Sequence, residues 1–198
     1  MVKDIQQIIQ NLLNFYDFQN KTVVSVGAGG GQFIEYARGA RHVIAIDNDK
    51  NALNKLKENL SMNGLSEKFT LIHSDFKNTK VKGDVVLFEF CLHEMNEPQE
   101  MLEYAQKIAN DIVIADHGVN SAWAYIADEK EKAENSWGQV LKNPIQKLIT
   151  HEAEQYYEDY NELYLKVKVQ GENSIERIKK FKMCKRFVIP MEYTFALL

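Results

Sequence analysis

The sequence predicts an α/β protein, a parallel sheet wound by helices, and three observations carry that expectation. Along the first two thirds, five short runs of apolar and β-branched residues alternate with amphipathic stretches. Such runs, apolar without alternation, mark strands buried on both faces. The first run passes directly into a glycine-rich turn, Gly27-x-Gly29-x-Gly31, a connection that parallel sheets place at the carboxyl end of a central strand. Length and composition agree: 198 residues with 45% hydrophobic side chains suffice for a single domain over 1–198 that needs neither disulfides nor a structural metal to fold.

Taken in order, Ile5, Ile8, Ile9, Leu12, Leu13 and Tyr16 recur at helical spacing and predict an amphipathic helix over residues 3–18. Strands follow at Thr22–Val26, Val43–Ile46, Phe69–Ile72, Val85–Phe88 and Ile112–Ala115. A helix is expected near Gln32. Another follows the second strand, marked by Ala52, Leu53, Leu56 and Leu60, with Asp49 as N-cap and Gly64 just past its end. Met101, Leu102, Ala105 and Ile108 mark a third, entered through Pro98. After Asp116 the alternation breaks, and residues 121–149 read as one long helix or two shorter ones, with Asn143-Pro144 as a possible interruption. Residues 163–169 fit a strand by alternation and a helix by the spacing of Tyr157, Tyr160, Tyr164 and Val167, so the segment 155–185 stays open. Arg186–Ile189 and Glu192–Leu198 read as two strands separated by Pro190-Met191.

Composition narrows the function classes. Ten Gly and three Pro exclude collagenous or low-complexity chains, and 11% aromatic residues with a net charge of −4 exclude a disordered tail. Cys91 and Cys184 lack the paired spacing of a zinc or redox motif, so no metal and a reducing, cytoplasmic compartment are expected. No apolar run approaches the roughly 18 to 20 residues that span a bilayer, and the start MVKDIQQIIQ has no signal-peptide pattern. A pI near 5.8 supplies no global field for phosphate backbones, which makes nucleic acid an unlikely partner and a small molecule the expected one.

The segment Val23–Phe33 carries the strongest chemical signal. A chain reversing at a strand's carboxyl end needs backbone angles closed to residues with a Cβ, and must let a ligand approach its backbone. Asp47 ends the second strand 20 residues after Gly27, the spacing of a carboxylate that grips a ribose. The dinucleotide fingerprint would need a small residue at position 32, where Gln32 stands, which counts against an NAD-dependent oxidoreductase.

With glycines at 27, 29 and 31, the segment resembles motif I of the class I S-adenosylmethionine-dependent methyltransferases, and the resemblance covers roughly residues 20–116. It implies a doubly wound, mostly parallel seven-stranded sheet with helices on both faces and a late antiparallel strand. It also implies S-adenosyl-L-methionine as cofactor, with Gly27, Gly29 and Gly31 beneath its methionine and ribose, Asp47 on the ribose, Asp75 at the adenine amino group and Phe76 packed on the ring. Glu89, ending the fourth strand, joins these cofactor-facing candidates. Where many members have an acid two residues before the first glycine this chain has Ser25, a hydroxyl without charge. Glu89-Phe90-Cys91 stands where amide and exocyclic-amine methylases carry Asn-Pro-Pro-Tyr. Leu92-His93-Glu94-Met95 resembles a stretch of small-molecule methyltransferases, which makes His93 the first and Glu94 the second candidate for a catalytic base.

Structural alternatives stand beside these roles. Asp47 could cap a helix, Asp75 could make an Asx-turn, and a lone His is more often a packed residue than a base. The aromatic segment 117–160, with the N-terminal helix, is the expected substrate cover. The basic run 177–186 reads as a solvated helix or edge strand, or else as an anion-binding rim. Methyl transfer to a small acceptor by in-line displacement is the expected activity. A non-catalytic module that binds S-adenosylmethionine or S-adenosylhomocysteine is its rival, and the oligomeric state stays open.

Overall fold

The computed structural model describes residues 5–198 and holds one seven-stranded sheet in the order β3-β2-β1-β4-β5-β7-β6. Its parallel part is β1 (Thr22–Val26), β2 (His42–Asp47), β3 (Phe69–His73), β4 (Val85–Glu89) and β5 (Asp111–His117). β6 (Lys147–Asp159) and β7 (Lys185–Leu197) complete it antiparallel. All five expected parallel strands form, and the order reverses between β1 and β4, the switch point at which open α/β sheets bind ligands.

Burial explains why these runs became strands. Val85, Val86, Leu87 and Phe88 are all fully buried, with Val85 and Leu87 in the hydrophobic cluster of one face and Val86 and Phe88 in that of the other. Helix α1 (Ile5–Phe15) covers the first face through Ile8, Leu12 and Phe15, the last packing on Phe195 with ring centroids 5.5 Å apart. The helix expected over 3–18 is shorter: residues 3 and 4 lie outside the described residues, and Tyr16 and Phe18 leave the helix to pack in the core. Helix α2 (Lys50–Met62) buries Leu53, Leu56 and Leu60, begins where the Asp49 side chain accepts from the Asn51 N–H, and stops before Gly64 at φ +66°. Helix α3 (Pro98–Ile108) and helix α5 (Lys130–Val140) pack on the second face, where Leu102, Ala105, Trp137 and Val140 are buried. The helix expected near Gln32 is a 3-10 segment, Ile34–Arg38.

The last third departs most from expectation. Residues 121–149 hold two helices, α4 (Ala122–Ile126) and α5, and then the start of β6, so the segment after β5 that lies outside the sheet ends at residue 146. The open segment resolves into the end of β6, then α6 (Tyr160–Val167) and α7 (Glu172–Ile178); burial of Leu163 and Val167, four apart, selects helix over strand for the former. The two expected C-terminal strands are one, because Pro190 sits opposite Glu154 on β6 beyond the residues that pair with β5, 193–197. The missing N–H therefore costs no bond to β5. In the basic run, Arg177, Lys179 and Arg186 pair with Asp128, Glu176 and Glu158. Among the described residues, no helix is long and apolar enough to cross a membrane.

Candidate functional site

The glycine turn forms as the sequence requires. Gly27, Gly29 and Gly31 have φ of +67°, +52° and +80°, the left-handed region that glycine enters without steric cost. Gly27 N–H donates to Ile46 O (3.0 Å), tying the turn to β2. Asn59 of α2 donates its side-chain amide to Gly31 O (2.8 Å), a restraint invisible in the sequence because it spans two elements.

Asp47 fastens the same turn from the end of β2. Its Oδ2 accepts from Gly29 N–H and its Oδ1 from Asp49 N–H, both at 2.8 Å, while Asp49 and not Asp47 caps α2. Asp75 makes no Asx-turn; its carboxylate meets only the Asn78 amide, at 3.5 Å. Both acids face a cavity of about 660 Å³ at the carboxyl ends of β1, β2 and β4, together with Gly27, Phe76, Cys91 and Glu94. That size falls within the range of small-molecule sites, roughly 300–1,000 Å³. Phe76 is itself nearly buried, edge-on to Phe88 and Tyr104, and so forms a fixed wall.

On the other side of the turn, the end of β4 carries a buried acid. Glu89 Oε1 accepts from Ser25 Oγ (2.5 Å) and from Tyr36 OH (2.7 Å). The charge that Ser25 does not bring thus stands beside it on β4. Burial pushes the Glu89 carboxyl up to about 7, against the opposing pull of those two hydroxyls. The next residue, Phe90, holds φ +51°, rare for a bulky side chain, with its ring stacked on Phe33 (5.4 Å) and edge-on to His117 (5.2 Å).

His93 and Glu94 follow in the turn after β4, but the structure separates their surroundings. Glu94 lines the cavity, half-exposed, its Oε2 held by Lys132 at 2.7 Å. Hydrogen bonding from His93, opposed by partial burial and helped by Lys132, holds it down at about 2. His93 is buried behind that wall: its N–H donates to Asp116 Oδ2 (3.0 Å) and its Nδ1 meets Asp116 Oδ1 at 2.5 Å. Burial lowers the imidazole pKa, but the hydrogen bonds with Asp116 and Glu94 outweigh it and carry it to about 10. Burial sets the neighbouring His117 at about 4, so its ring stays neutral, and the ring's Nδ1 has no hydrogen-bond partner. Glu129, also buried, approaches both imidazoles, and its burial raises it to about 7.

Asp116, His117, Glu129 and Tyr36 are absent from the sequence-based candidates. Asp116 and His117 did leave a signal, an Asp-His pair after the apolar run Ile112–Ala115 at the ligand edge; Glu129 left none, because only the folded chain brings it there. From the expected cover, the aromatics divide. Trp123 is core, stacked on Tyr157 with Lys166 4.4 Å above its ring, whereas Tyr125 is exposed beneath Arg177. Neither α1 nor residues 117–160 line the cavity described above.

Residues 23–111 match a family of proteins described as the methyltransferase domain. Among curated relatives, a tRNA (guanine(37)-N(1))-methyltransferase of Methanocaldococcus jannaschii is 35% identical over 94 residues, 48% of this chain and 26% of the relative. The ribosomal protein L11 methyltransferase of Pasteurella multocida is 34% identical over 87 residues, 43% of this chain and 30% of the relative. The chain thus spans under a third of the length of these two relatives. Solved structures share the fold nearly end to end. The YcgJ protein of Bacillus subtilis superposes with a TM-score of 0.72 at 8% identity, covering 97% of both chains. A SAM-dependent methyltransferase of Aquifex aeolicus gives 0.62 at 17% identity, over 98% of this chain and 89% of that one. The sheet order, the glycine turn at its switch point and the match over residues 23–111 converge on a methyltransferase domain, with the sheet of a SAM-dependent methyltransferase around it.

Proposed function

We propose that this chain transfers a methyl group from S-adenosylmethionine to a small-molecule acceptor by in-line displacement. The observation that carries the reading is the cavity: Gly27 forms its floor where a Cβ has no room, and Asp47 and Asp75 face it from successive strand ends. These residues fit the cofactor. Each Asp47 oxygen keeps accepting capacity after its backbone bond, enough for a pair of ribose hydroxyls. Asp75, nearly free of protein partners, suits an exocyclic amine, and Phe76 gives the adenine a rigid wall. The backbone of Gly27, Gly29 and Gly31 would underlie ribose and methionine, with Glu89 on the side of the cationic amino group.

Bound S-adenosylmethionine supplies a methyl already activated by the positive sulfur, so orientation and water exclusion are the protein's main tasks. Orientation alone reaches effective molarities of about 10⁵ to 10⁸ M. Phe33, Phe90 and His117 form a packed aromatic surface beside the turn, which would help to keep water from the reacting methyl. His93 enters this reading as a positioning group and not as a base, because Asp116 and Glu94 keep the proton on it.

A macromolecular acceptor is the second reading, favoured by relatives that bear the names of tRNA and ribosomal protein methyltransferases. Incubation with methyl-labelled S-adenosylmethionine and, separately, small metabolites, tRNA and ribosomal proteins distinguishes the two. Label in the metabolite fraction supports the proposal; label confined to RNA or protein overturns the acceptor class. Tight S-adenosylhomocysteine binding with no transfer to any fraction would mark a non-catalytic module.

A further inference from the structure

We propose that His93, His117 and Glu129 form a binding site for one divalent transition-metal cation of the zinc class. The three side chains come from different elements: the turn after β4, the end of β5 and the residue that precedes α5. One ligand atom from each lies within 4.8 Å of the other two. His117 Nε2 stands 3.4 Å and His93 Nε2 3.9 Å from the same oxygen, Glu129 Oε2. A tetrahedral ion with bonds of about 2.0–2.1 Å separates its ligand atoms by about 3.3 Å. A contraction of about half an ångström would bring Glu129 to that distance from both imidazoles, and the imidazoles, whose ligand atoms lie within 4.8 Å of each other, would close by at most about 1.5 Å.

The surroundings are those of a held ligand set. Asp116 engages Nδ1 of His93, which leaves Nε2 as the atom turned to the cluster; an arriving cation would displace the Nε2 proton that Glu94 helps to hold, while the carboxylate behind the imidazole fixes its tautomer and raises its basicity. Trp137 donates to the His117 carbonyl (2.7 Å) and fixes its backbone, and Gln170 holds the other oxygen of Glu129 (3.2 Å). Among the described residues His117 finds no hydrogen-bond partner for Nδ1 although it is nine-tenths buried, and the Glu129 carboxylate lies beside its Nε2. A packed core seldom leaves an imidazole so poorly satisfied. Glu94 Oε1 lies 3.4 Å from His93 Nε2 on the cavity side, where a fourth ligand or water would enter. Two imidazoles and a carboxylate with an open position suit zinc, cobalt or ferrous iron better than magnesium or calcium, which prefer all-oxygen shells.

The proposal does not depend on methyl transfer, since it is read on the isolated protein. Untagged full-length protein carrying Cys184→Ser, which removes the more accessible thiol, is stripped with chelator, dialysed against buffer with zinc or cobalt, and analysed for bound metal. The expected result is one ion per chain, a rise in melting temperature, and a visible cobalt spectrum of a low-coordinate site. Glu129→Gln and Glu129→Ala should each weaken cobalt binding at least tenfold while S-adenosylhomocysteine still raises the melting temperature. Less than about 0.2 ion per chain retained by the parent protein overturns the site. So does cobalt binding that is undiminished in both folded variants. Should a variant fail to fold, the parent's stoichiometry and cobalt spectrum still decide.

Discussion

Replacing Gly27 by alanine isolates the physical demand at the floor of the cavity. A Cβ there would lie 2.4 Å from Cys91 Cβ and 2.6 Å from Cys91 Sγ, both far inside contact distance. The residue would also have to hold φ +67°, which costs an L-residue roughly 1–2 kcal/mol. Overpacking adds roughly 1–3 kcal/mol, so the expected loss is about 2–5 kcal/mol. For a chain of this size that lowers the melting temperature by about 4–20 °C. Gly29 provides the control: its φ is +52°, but the nearest outside atom is 3.8 Å away, so alanine there should cost only the conformational part, about 1–2 kcal/mol. Cys91→Gly in the Gly27→Ala background removes the clashing atoms and should recover the packing part, about 1–3 kcal/mol, leaving the backbone strain. Denaturant unfolding followed by circular dichroism measures the parent, Gly27→Ala, Cys91→Gly, the double variant and Gly29→Ala, and titration with S-adenosylhomocysteine reports the site. A Gly27→Ala protein as stable as Gly29→Ala, or a cycle additive within about 0.5 kcal/mol, would refute the reasoning.

Three further outcomes follow from other parts of the site. Asp47→Ala should weaken S-adenosylhomocysteine binding tenfold or more in calorimetry, and more than Asp75→Ala, because it also frees the N–H groups of Gly29 and Asp49. Glu89 has a folded pKa of about 7 against an ordinary 4.5, so its contribution to stability is full below about pH 4.5 and lost as pH rises through 7. That is worth about 3 kcal/mol, and Glu89→Gln should remove this part of the decline between pH 5 and pH 8 in denaturant titrations. Trp123→Ala should cost about 3–5 kcal/mol, the range of buried aromatics, while exposed Tyr125→Ala costs under about 1 kcal/mol; equal losses would show that the stacked Trp123–Tyr157 pair is not core.

What the sequence revealed and what it hid divide along one physical line. Strands buried on both faces have no solvent side, so Val85–Phe88 is written as an unbroken apolar run and Val23–Val26 as one interrupted by Ser25 alone, and their ends could be read to within a residue or two. β6 is an edge strand. Its residues alternate Glu152 and Glu154 outward with Ala153 and Gln155 inward, charges that protect an edge and also belong to helix-forming residues. The same logic governs the site. Asp47 and the glycines form a local device, close enough in the chain for spacing to show it, and Asp75 follows the next strand. Ser25 with Glu89, or His93 with Asp116, are contacts across strands 64 and 23 residues apart, which no local pattern encodes.

Those cross-strand contacts also bear on which ligands the edge accepts. Asp47, Glu89 and Asp116 stand at the ends of β2, β4 and β5, and Glu94 and Glu129 behind them; Asp116 and Glu94 pair with His93, Glu94 also with Lys132, and burial raises Glu89 and Glu129 to about 7. Carboxylates grouped at a ligand edge favour positive charge, and a cation that arrives there would draw the buried acids toward their ionised forms. On the proposed reading the donor arrives with a cationic sulfur and leaves as a neutral thioether, so the same acids that hold the donor lose their attraction to the product once the methyl has gone. A polyanionic acceptor would face the opposite sign at close range. With a net charge of −4 over the whole chain, no compensating global field would draw such an acceptor in. On the proposed reading the electrostatics of the strand ends would favour a neutral or cationic small molecule over a phosphate backbone, through residues that also position the turn, the cavity wall and the histidine pair.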